Sequence, residues 1–420
     1  MTKTSQSLSI MEKSVGEAVK FGVAHLSTED QQLDGRQIQL GGKKCINFGS
    51  CSYLGIELDP RMKNAAIQAV EQFGTQFSSS RAYVSLGLYE ELEAHLEQMF
   101  RAPVIVSAST TLGHLSAIPV IVGDNDAIIL DHQVHASVSM ACQTLRAKGT
   151  HIEMVRHNNI QMLEARINKL KDQYDKIWYM ADGVYSMYGD FAPMDELAFL
   201  LEKYEQLHLY IDDAHGIGWK GERGTGHVYS VFPRHERLYL IGSMAKSFGA
   251  SGGIIVFPNQ EMKRKVRICG GTMIFSGPLQ PATIAAAIAS AKIHLSEELP
   301  QLQQQLEQRI NYFSHAVEER GLSLISESVS PIRFIHVGEP SVTYNLAARL
   351  KSMGLYVNIA VYPSVPFKQC GLRITLTNHL QYHDIDFLLD SIADQLPMAR
   401  QEERQKSLLQ KQQFEKAKIG

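Results

Sequence analysis

Polar residues that could do acid–base or covalent chemistry follow three apolar runs of the sequence. Asp212, Asp213 and His215 come directly after one such run, Lys246 follows the next, and His135 follows an earlier one. Taken singly, each has a commoner structural explanation. An aspartate after a strand often caps a helix, a lone lysine is usually a surface residue, and a lone histidine is usually structural. The combination of the three is therefore what needs a chemical explanation.

A lysine, an acid and an imidazole at successive strand ends suit pyridoxal phosphate. Lys246 lies among Gly, Ser and Ala, which let a cofactor approach closely and let the amine form a Schiff base. Asp212 can pair with the pyridinium nitrogen, so that the ring can absorb the electrons of a Cα carbanion. His135 can cover the ring. The phosphate needs hydroxyls and helix-start amides, and four residues could supply them: Ser109, Thr110, Thr111 and Ser243.

Short apolar runs alternate with helix-like stretches between residues 60 and 260. The runs predicted as strands are Val104–Val106, Ala127–Leu130, Ile152–Val155, Ile177–Met180, Leu207–Ile211, Leu238–Ile241 and Gly253–Phe257. The predicted helices are Pro60–Phe73, Tyr89–Phe100, Gln133–Ala147, Gln161–Tyr174 and Met194–Gln206. This alternation predicts an α/β fold with a mostly parallel sheet flanked by helices. Because ligands of open α/β sheets bind beyond the carboxyl ends of the strands, the polar groups above should meet at one edge.

The remaining chain predicts a smaller C-terminal α+β domain. A helical stretch from Pro278 to Arg320 breaks near Pro300. Later runs predict strands at Leu322–Ile325, Ile332–His336, Val357–Ala360 and Leu372–Leu376, and helices at Val342–Met353 and Tyr382–Gln395. We predict four parts: residues 1–59 as an arm and small-domain segment, 60–297 as the large domain, 298–397 as the small domain and 398–420 as a charged tail.

Composition excludes several classes of protein. Of 420 residues, 44% are hydrophobic and 20% charged, which excludes a disordered or fibrous chain. A net charge of −3 without a basic block gives no sign of nucleic-acid binding. No apolar run approaches the roughly 20 residues that span a bilayer, so no membrane span is expected. The five cysteines form no CxxC pair, and the N-terminus lacks a secretory signal, so we expect a cytoplasmic protein.

Four motifs in order resemble the α-oxoamine synthase family of fold-type I pyridoxal-phosphate enzymes. They are Asp182-Gly-Val-Tyr-Ser-Met187, Asp212-Asp-Ala-His-Gly216, Ser243-Met-Ala-Lys-Ser-Phe-Gly249 and Arg373-Ile-Thr-Leu-Thr377. The resemblance extends from about Ile46 to Gln395. It implies a homodimeric acyltransferase with shared active sites, which condenses an amino acid with an acyl thioester of coenzyme A or a carrier protein. Loss of CO2 then gives an α-aminoketone.

The resemblance also implies a role for each matching residue. Lys246 would hold the cofactor and move the Cα proton, Asp212 would pair with the ring nitrogen, and His135 would stack on the ring. His215 and Ser186 would bind the ring hydroxyl. Ser243 would contact the phosphate, Ser276 would reach the neighbouring subunit's phosphate, and Arg373 would bind the amino-acid carboxylate.

Several positions depart from the family pattern. Cys51 replaces an Asn near the substrate, Thr110-Thr111 stand where a Gly and an aromatic residue are usual, and His114 replaces a later Asn. The segment Ser80–Gly87 is one residue shorter than in many members of the family. Because the Lys, Asp and His set is intact, the departures bear on the substrates rather than on the reaction class. We interpret Cys51 as a small thiol that fills space beside the substrate.

Three alternatives remain at this stage. A metal-dependent hydrolase could use Asp131, His132, His135, Asp212, Asp213 and His215 as ligands, but it has no use for Lys246. A non-catalytic partner subunit would typically lack the lysine. Another pyridoxal reaction, such as transamination or aldol cleavage, would share much of the site. The sequence names neither the amino acid nor the acyl chain.

Overall fold

The computed structural model describes residues 3–232 and 234–419, without the side chains of 3–7, 414 and 416–419. The chain forms two compact units. The large unit comprises Leu54–Ser186 and Asp190–Gln304, and the small unit comprises Met1–Tyr53, Met187–Gly189 and Gln305–Gly420. The four-part division at 59/60, 297/298 and 397/398 stays a prediction.

The elements alternate along the large unit much as the sequence predicts. The helices are α1 (Lys3–Lys20), α2 (Pro60–Phe73), α3 (Gly87–Phe100), α4 (Thr110–Ile121), α5 (Ala136–Arg146), α6 (Ile160–Leu170), α7 (Met194–Lys203), α8 (His227–Val231), α9 (Gln260–Cys269), α10 (Gly271–Phe275), α11 (Pro281–His294), α12 (Leu299–Glu319), α13 (Pro340–Ser352) and α14 (Tyr382–Ile419). The strands are β1 (Gln37–Leu40), β2 (Lys43–Asn47), β3 (Val104–Ser107), β4 (Ala127–Asp131), β5 (His151–Val155), β6 (Ile177–Asp182), β7 (Leu207–Asp212), β8 (Leu238–Ser243), β9 (Gly253–Val256), β10 (Ile332–Gly338), β11 (Leu355–Tyr356), β12 (Asn358–Ala360) and β13 (Cys370–Thr375). A short 3₁₀ turn occupies Glu222–Gly224.

A seven-stranded sheet in the order β3-β9-β8-β7-β6-β4-β5 forms the centre of the large unit. All neighbouring pairs are parallel except those of β9, which is antiparallel to both β3 and β8. Strands β6, β7 and β8 are buried along almost their whole length because helices cover both faces. Their carboxyl ends place Asp182, Asp212 and Ser243 at one edge of the sheet. The predicted α/β fold is confirmed.

The small unit contains two three-stranded sheets. One has the order β1-β2-β11 and the other the order β10-β13-β12. Strand β13 is buried at every position and pairs antiparallel with both its neighbours, which sets Arg373 opposite Phe334 and Asn358. Helix α14 continues through the predicted charged tail as far as Ile419.

One local prediction was wrong. The segment Leu322–Ile325 is not a strand, since it makes only an isolated bridge between Leu324 and Ile335. Ser109, Thr110 and Thr111 lie at the start of a helix. Ser109 caps α4, its Oγ accepting a hydrogen bond from the Leu112 amide at 3.1 Å, and the two threonines begin the helix.

Helix α4 was absent from the predicted elements. It contains Pro119 and is buried over most of its surface, so it shows no polar face with helical spacing. Among the residues that the structure describes, no helix is long and apolar enough to cross a membrane.

Candidate active site

A cleft of about 310 Å³, part of it open to solvent, lies at the carboxyl edge of the large-unit sheet. Its lining comes from the ends of four strands and the start of α4: Thr110, Thr111, His135, Ser137, Asp182, Val184, Asp212, Ala214, His215 and Lys246. The structure thus brings together the lysine, the aspartate and both histidines that the sequence singled out, although 111 residues separate His135 from Lys246.

Asp212 is a buried carboxylate held at both oxygens. Its Oδ1 accepts a hydrogen bond from the Ala214 amide at 3.0 Å, and its Oδ2 lies 2.9 Å from Nε2 of His114. Burial favours the neutral acid, but the electrostatic interaction and hydrogen bond with His114, together with Lys246, outweigh it and lower the pKa of Asp212 to about 2. The group therefore stays ionised at neutral pH, as a partner for a protonated ring nitrogen must.

His114 and Tyr210 are site residues whose role the sequence reasoning missed. His114 is fully buried, and its Nδ1 lies 2.8 Å from the Tyr210 hydroxyl. Two spacings could have revealed them. Tyr210 and Asp212 are two residues apart on one strand and so face the same way, while His114 follows Thr110 by one helical turn.

Lys246 lies in a tight loop between β8 and β9. The Met244 amide donates to the Gly252 carbonyl at 2.9 Å, the Ala250 amide to Met244 at 2.8 Å, and the Gly249 amide to Lys246 at 2.9 Å. Gly252 has a φ of +112°, which a side chain rarely permits, and a Cβ there would also meet Met244 Cε at 2.7 Å. Gly252, one of the small residues near Lys246, is thus required by the loop that presents the lysine.

His135 caps α5 and is anchored to the sheet. Its backbone amide donates to Oδ1 of Asp182 at 2.9 Å, and its Nδ1 lies 2.6 Å from Ser137 Oγ. Burial lowers the pKa of His135, and Lys246 lowers it further while Asp212 opposes both. Because its pKa is lowered, the ring of His135 is neutral, and it can stack on a flat cofactor.

Asp182 is a second carboxyl group of the cleft. It is paired with Asp212 in the register of β6 and β7. Burial and the neighbouring charge of Asp212 raise the pKa of Asp182 well above its usual value. Two buried carboxylates side by side repel, so a proton favours Asp182 over Asp212. From the sequence, Asp182 was noted only as the first residue of the motif Asp182–Met187.

The start of α4 supplies an anion site. The first amides of a helix have no acceptor within it, and the helix dipole favours negative charge there. Thr110 Oγ1 donates its one proton to the Gly242 carbonyl at 3.1 Å, so an anion at this place would be held by the backbone amides of the first turn rather than by this hydroxyl. A Cβ on Gly253 would meet the Thr110 amide nitrogen at 2.7 Å, so α4 can approach the sheet only because residue 253 is glycine.

The other predicted residues of the large unit lie outside this lining. Ser243 is buried at the end of β8, where its Oγ accepts from the Ala245 amide at 3.1 Å. Ser186 is half-buried after the β6 motif. Ser276 lines a separate small depression with Arg81 and Tyr89. Their predicted roles remain predictions.

Arg373 and Cys51 lie together in the small unit. Arg373 is 6% exposed, and its Nη2 lies 3.8 Å from Cys51 Sγ. Burial disfavours the charge, but Tyr53 and Cys51 more than compensate and raise the pKa of Arg373. The guanidinium therefore stays charged at any ordinary pH, as an anchor for a carboxylate must.

These residues fit pyridoxal phosphate. The cleft offers an ionised acid for the ring nitrogen, a lysine amine for the aldehyde carbon, a neutral imidazole for the ring face and a helix N-terminus for the phosphate. Within the described residues, no three His, Cys, Asp or Glu side chains are grouped so as to hold a metal ion. Asp131 is instead bonded to His157 and to the amides of Gln133 and Asn158.

Asp213 provides a prediction about pH and stability. It is fully buried, its Oδ2 accepts from the Val228 amide at 3.0 Å, and its Oδ1 has no hydrogen-bond partner among the described residues. Burial, with Asp212 nearby, raises the pKa of Asp213 to about 8. The folded protein keeps this proton where the unfolded chain has lost it, so this group reduces stability as pH rises from about 4 towards 8.

We expect Asp213→Asn to remove that pH dependence. The unfolding free energy of the variant minus that of the wild type should increase by about 2–3 kcal/mol from pH 5 to pH 7. Urea unfolding of both proteins at the two pH values measures this gain. The same difference between variant and wild type at both pH values would show that Asp213 is ionised in the folded protein.

Comparison with known proteins identifies the family. The model for aminotransferases of class I and II matches residues 43–392. The 8-amino-7-oxononanoate synthase of Thermoanaerobacter pseudethanolicus is 30% identical over 385 residues, which cover 91% of this chain and 95% of the relative. The chain belongs to the aminotransferase class I and II family. Within that family it belongs to the α-oxoamine synthases, as its motifs predicted.

Two further relatives agree with this placement in the class I and II family. The serine palmitoyltransferase of Sphingobacterium spiritivorum is 29% identical over 359 residues, covering 85% of this chain and 88% of that protein. A solved serine palmitoyltransferase from S. paucimobilis superposes with a TM-score of 0.87 at 23% identity, covering 95% of this chain and 99% of that one. The superposition confirms the fold-type I fold.

Proposed function

We propose that this α-oxoamine synthase uses pyridoxal phosphate to condense an amino acid with an acyl thioester. The Cα–carboxylate bond of the amino acid breaks, a Cα–acyl bond forms, and the products are an α-aminoketone, CO2 and a free thiol. The observation that carries the proposal is the grouping of ionised Asp212, Lys246 and His135 in one cleft. The named activities of the relatives, 8-amino-7-oxononanoate synthase and serine palmitoyltransferase, support it.

The chain's own residues have separate tasks in this reaction. When bound, pyridoxal phosphate supplies an electron-withdrawing ring that makes the Cα proton of an attached amino acid acidic. Lys246 holds the cofactor at rest and then accepts the Cα proton. Asp212 accepts a hydrogen bond from the ring nitrogen and keeps its positive charge in place. The first turn of α4, at Thr110 and Thr111, holds the phosphate, and His215 binds the ring hydroxyl.

His135 has two proposed tasks. Its ring covers the cofactor, and it helps to polarise the thioester carbonyl. The neutral imidazole, fixed by Asp182 and Ser137, can serve both without bringing a second charge beside Lys246.

Arg373 is proposed to hold the amino-acid carboxylate. A guanidinium binds a carboxylate through two parallel hydrogen bonds, and a buried one does so without competition from water. The thiol of Cys51 lies against this group at 3.8 Å. A side chain smaller than asparagine at this position leaves space for an amino acid, and we propose that Cys51 contributes to the choice of substrate.

We also propose a homodimer and a cytoplasmic location. On the large unit, Phe275 is 88% exposed beside Ser276, and Tyr83 is 85% exposed. A second copy of the chain would cover such apolar side chains, and Ser276 would then serve the partner's cofactor, as the family resemblance implies.

A product assay tests the proposed reaction. The holoenzyme is mixed with glycine, alanine or serine and a series of acyl thioesters, on coenzyme A and on a carrier protein. We expect one pair of substrates to give CO2 and free thiol in a 1:1 ratio, with an α-aminoketone detected by mass spectrometry. Thiol release without CO2 would indicate hydrolysis, and an α-keto acid product would indicate transamination. Either result would overturn the proposal, and heat-inactivated protein supplies the background.

A further inference from the structure

The carboxylate of Asp212 contacts a buried pair of side chains to which the proposed reaction assigns no task. His114 and Tyr210 are 0% and 1% exposed. The imidazole lies between the other two groups, with Nε2 at 2.9 Å from Asp212 Oδ2 and Nδ1 at 2.8 Å from the Tyr210 hydroxyl. The two rings are 5.7 Å apart between centroids and tilted by 58°. A polar chain of this kind in the core needs an explanation, because buried polar groups are costly unless they are paired.

The direction of one hydrogen bond follows from the ionisation of Asp212. A carboxylate has no proton to donate, so Nε2 of His114 must be the donor whichever charge the ring carries. The other oxygen of Asp212 accepts from the Ala214 amide at 3.0 Å. Two donors, one on each oxygen, fix the plane of the carboxyl group. A hydrogen bond to the charged form also favours ionisation.

Helix α4 fixes His114 in place. A Cβ on Gly113 would meet Ile241 Cδ1 at 2.9 Å and Ser107 Oγ at 3.0 Å, so the helix packs directly on the sheet at this point. The first turn of α4 lines the cleft where the phosphate is proposed to bind, and the next turn contacts the carboxylate of Asp212. One helix therefore contributes to both the proposed phosphate site and the position of Asp212.

We propose that His114, anchored by Tyr210, is a positioning residue that holds Asp212 ionised and oriented towards the ring nitrogen of pyridoxal phosphate. The inference rests on the proposed function only through the cofactor, and it is independent of the amino acid and of the acyl donor. The proposal assigns a task to His114, which stands where the family pattern has an asparagine.

Other charged groups also face Asp212, and the test must leave them unchanged. They come from β6, from the loops after β4 and β8, and from the next residue of the chain: Asp182, His135, Lys246 and Asp213. On the far side, Cys142 is the further titratable group that influences Tyr210. Substitutions at 114 and 210 alter none of these side chains.

Three variants separate positioning from packing. His114→Leu removes the donor to Asp212. His114→Gln places an amide nitrogen at similar reach, so it keeps the donor but can never be charged. Tyr210→Phe keeps the ring and removes only the anchor. Each protein is prepared without cofactor and titrated with pyridoxal phosphate for its dissociation constant. The visible absorption band of the loaded protein is then followed with pH, and thermal unfolding is recorded without cofactor.

We expect His114→Leu to bind pyridoxal phosphate about ten- to a hundredfold more weakly, the range for a lost hydrogen bond to a charged group. The pH at which its visible band changes should shift from the wild-type value. His114→Gln should recover most of the affinity, and Tyr210→Phe should weaken it by roughly threefold to tenfold.

Unchanged affinity and an unchanged band titration in His114→Leu would overturn the inference, even if the variant unfolds at a lower temperature. If that variant does not fold, Tyr210→Phe decides in the same way, since it removes a single oxygen. Equal losses in the Leu and Gln variants would also overturn it. Wild-type protein that binds no pyridoxal phosphate would instead refute the proposed function itself.

Discussion

Replacing Lys246 with alanine should abolish the visible absorption band that pyridoxal phosphate gives in the wild-type protein. It should also lower kcat by at least about 10³-fold, because the variant loses both the covalent attachment and the proton acceptor. The cofactor should still bind through Asp212 and the first turn of α4, so its affinity should fall much less than the rate. Absorbance spectra and product formation under saturating substrates measure the two effects.

Lys292→Ala is a matched control for this substitution. Lys292 also belongs to the large unit, but its side chain is 57% exposed and paired with Glu91 at 2.9 Å. We expect it to keep both the band and the rate. A visible band of wild-type position and strength in Lys246→Ala would show that another amine holds the cofactor, and the assignment of the cleft would then fail.

Replacing Asp212 with asparagine should lower kcat by about 10²–10⁴-fold. The amide cannot balance a positive charge on the ring nitrogen, so the ring would lose its proton and much of its capacity to stabilise negative charge at Cα. The buried imidazole of His114 would also face an amide in place of a carboxylate. Rates of exchange of the Cα proton into deuterated water, followed for the preferred amino acid, isolate this step from the later reaction with thioester.

Asp213→Asn is the internal comparison for Asp212→Asn. The two aspartates are adjacent and both buried, but of the two only Asp212 lines the cleft. Asp213 carries its proton at neutral pH, so an amide there changes no charge in the folded protein. Similar losses of proton exchange in both variants would mean that general disruption, rather than the lost carboxylate, causes the effect.

The sequence alone could predict those residues of the cleft that directly follow the ends of strands. Asp212 and Lys246 follow short apolar runs whose β character was clear, and parallel strands bring their ends together by topology alone. His135 was predicted on the same grounds. The prediction worked because the sheet, rather than any long loop, positions these groups.

What could not be predicted depends on contacts between elements. Helix α4 is buried on most sides and contains a proline, so no spacing of polar residues marks it. The contact of His114 with Asp212 joins that helix to β7 and spans 98 residues of sequence. The error at Leu322–Ile325 has a similar origin, since this apolar run meets β10 only in a single bridge, between Leu324 and Ile335.

All residues that line the cleft belong to the large unit, and this has a consequence for how the protein responds to heat and denaturant. A ligand that binds only the folded form of a site stabilises it by mass action, by about 2.7 kcal/mol at a concentration one hundred times its dissociation constant. A cofactor bound in the cleft would therefore stabilise the large unit, Leu54–Ser186 and Asp190–Gln304, against unfolding. The concentration of the cofactor would thereby change the temperature and the denaturant concentration at which these segments unfold.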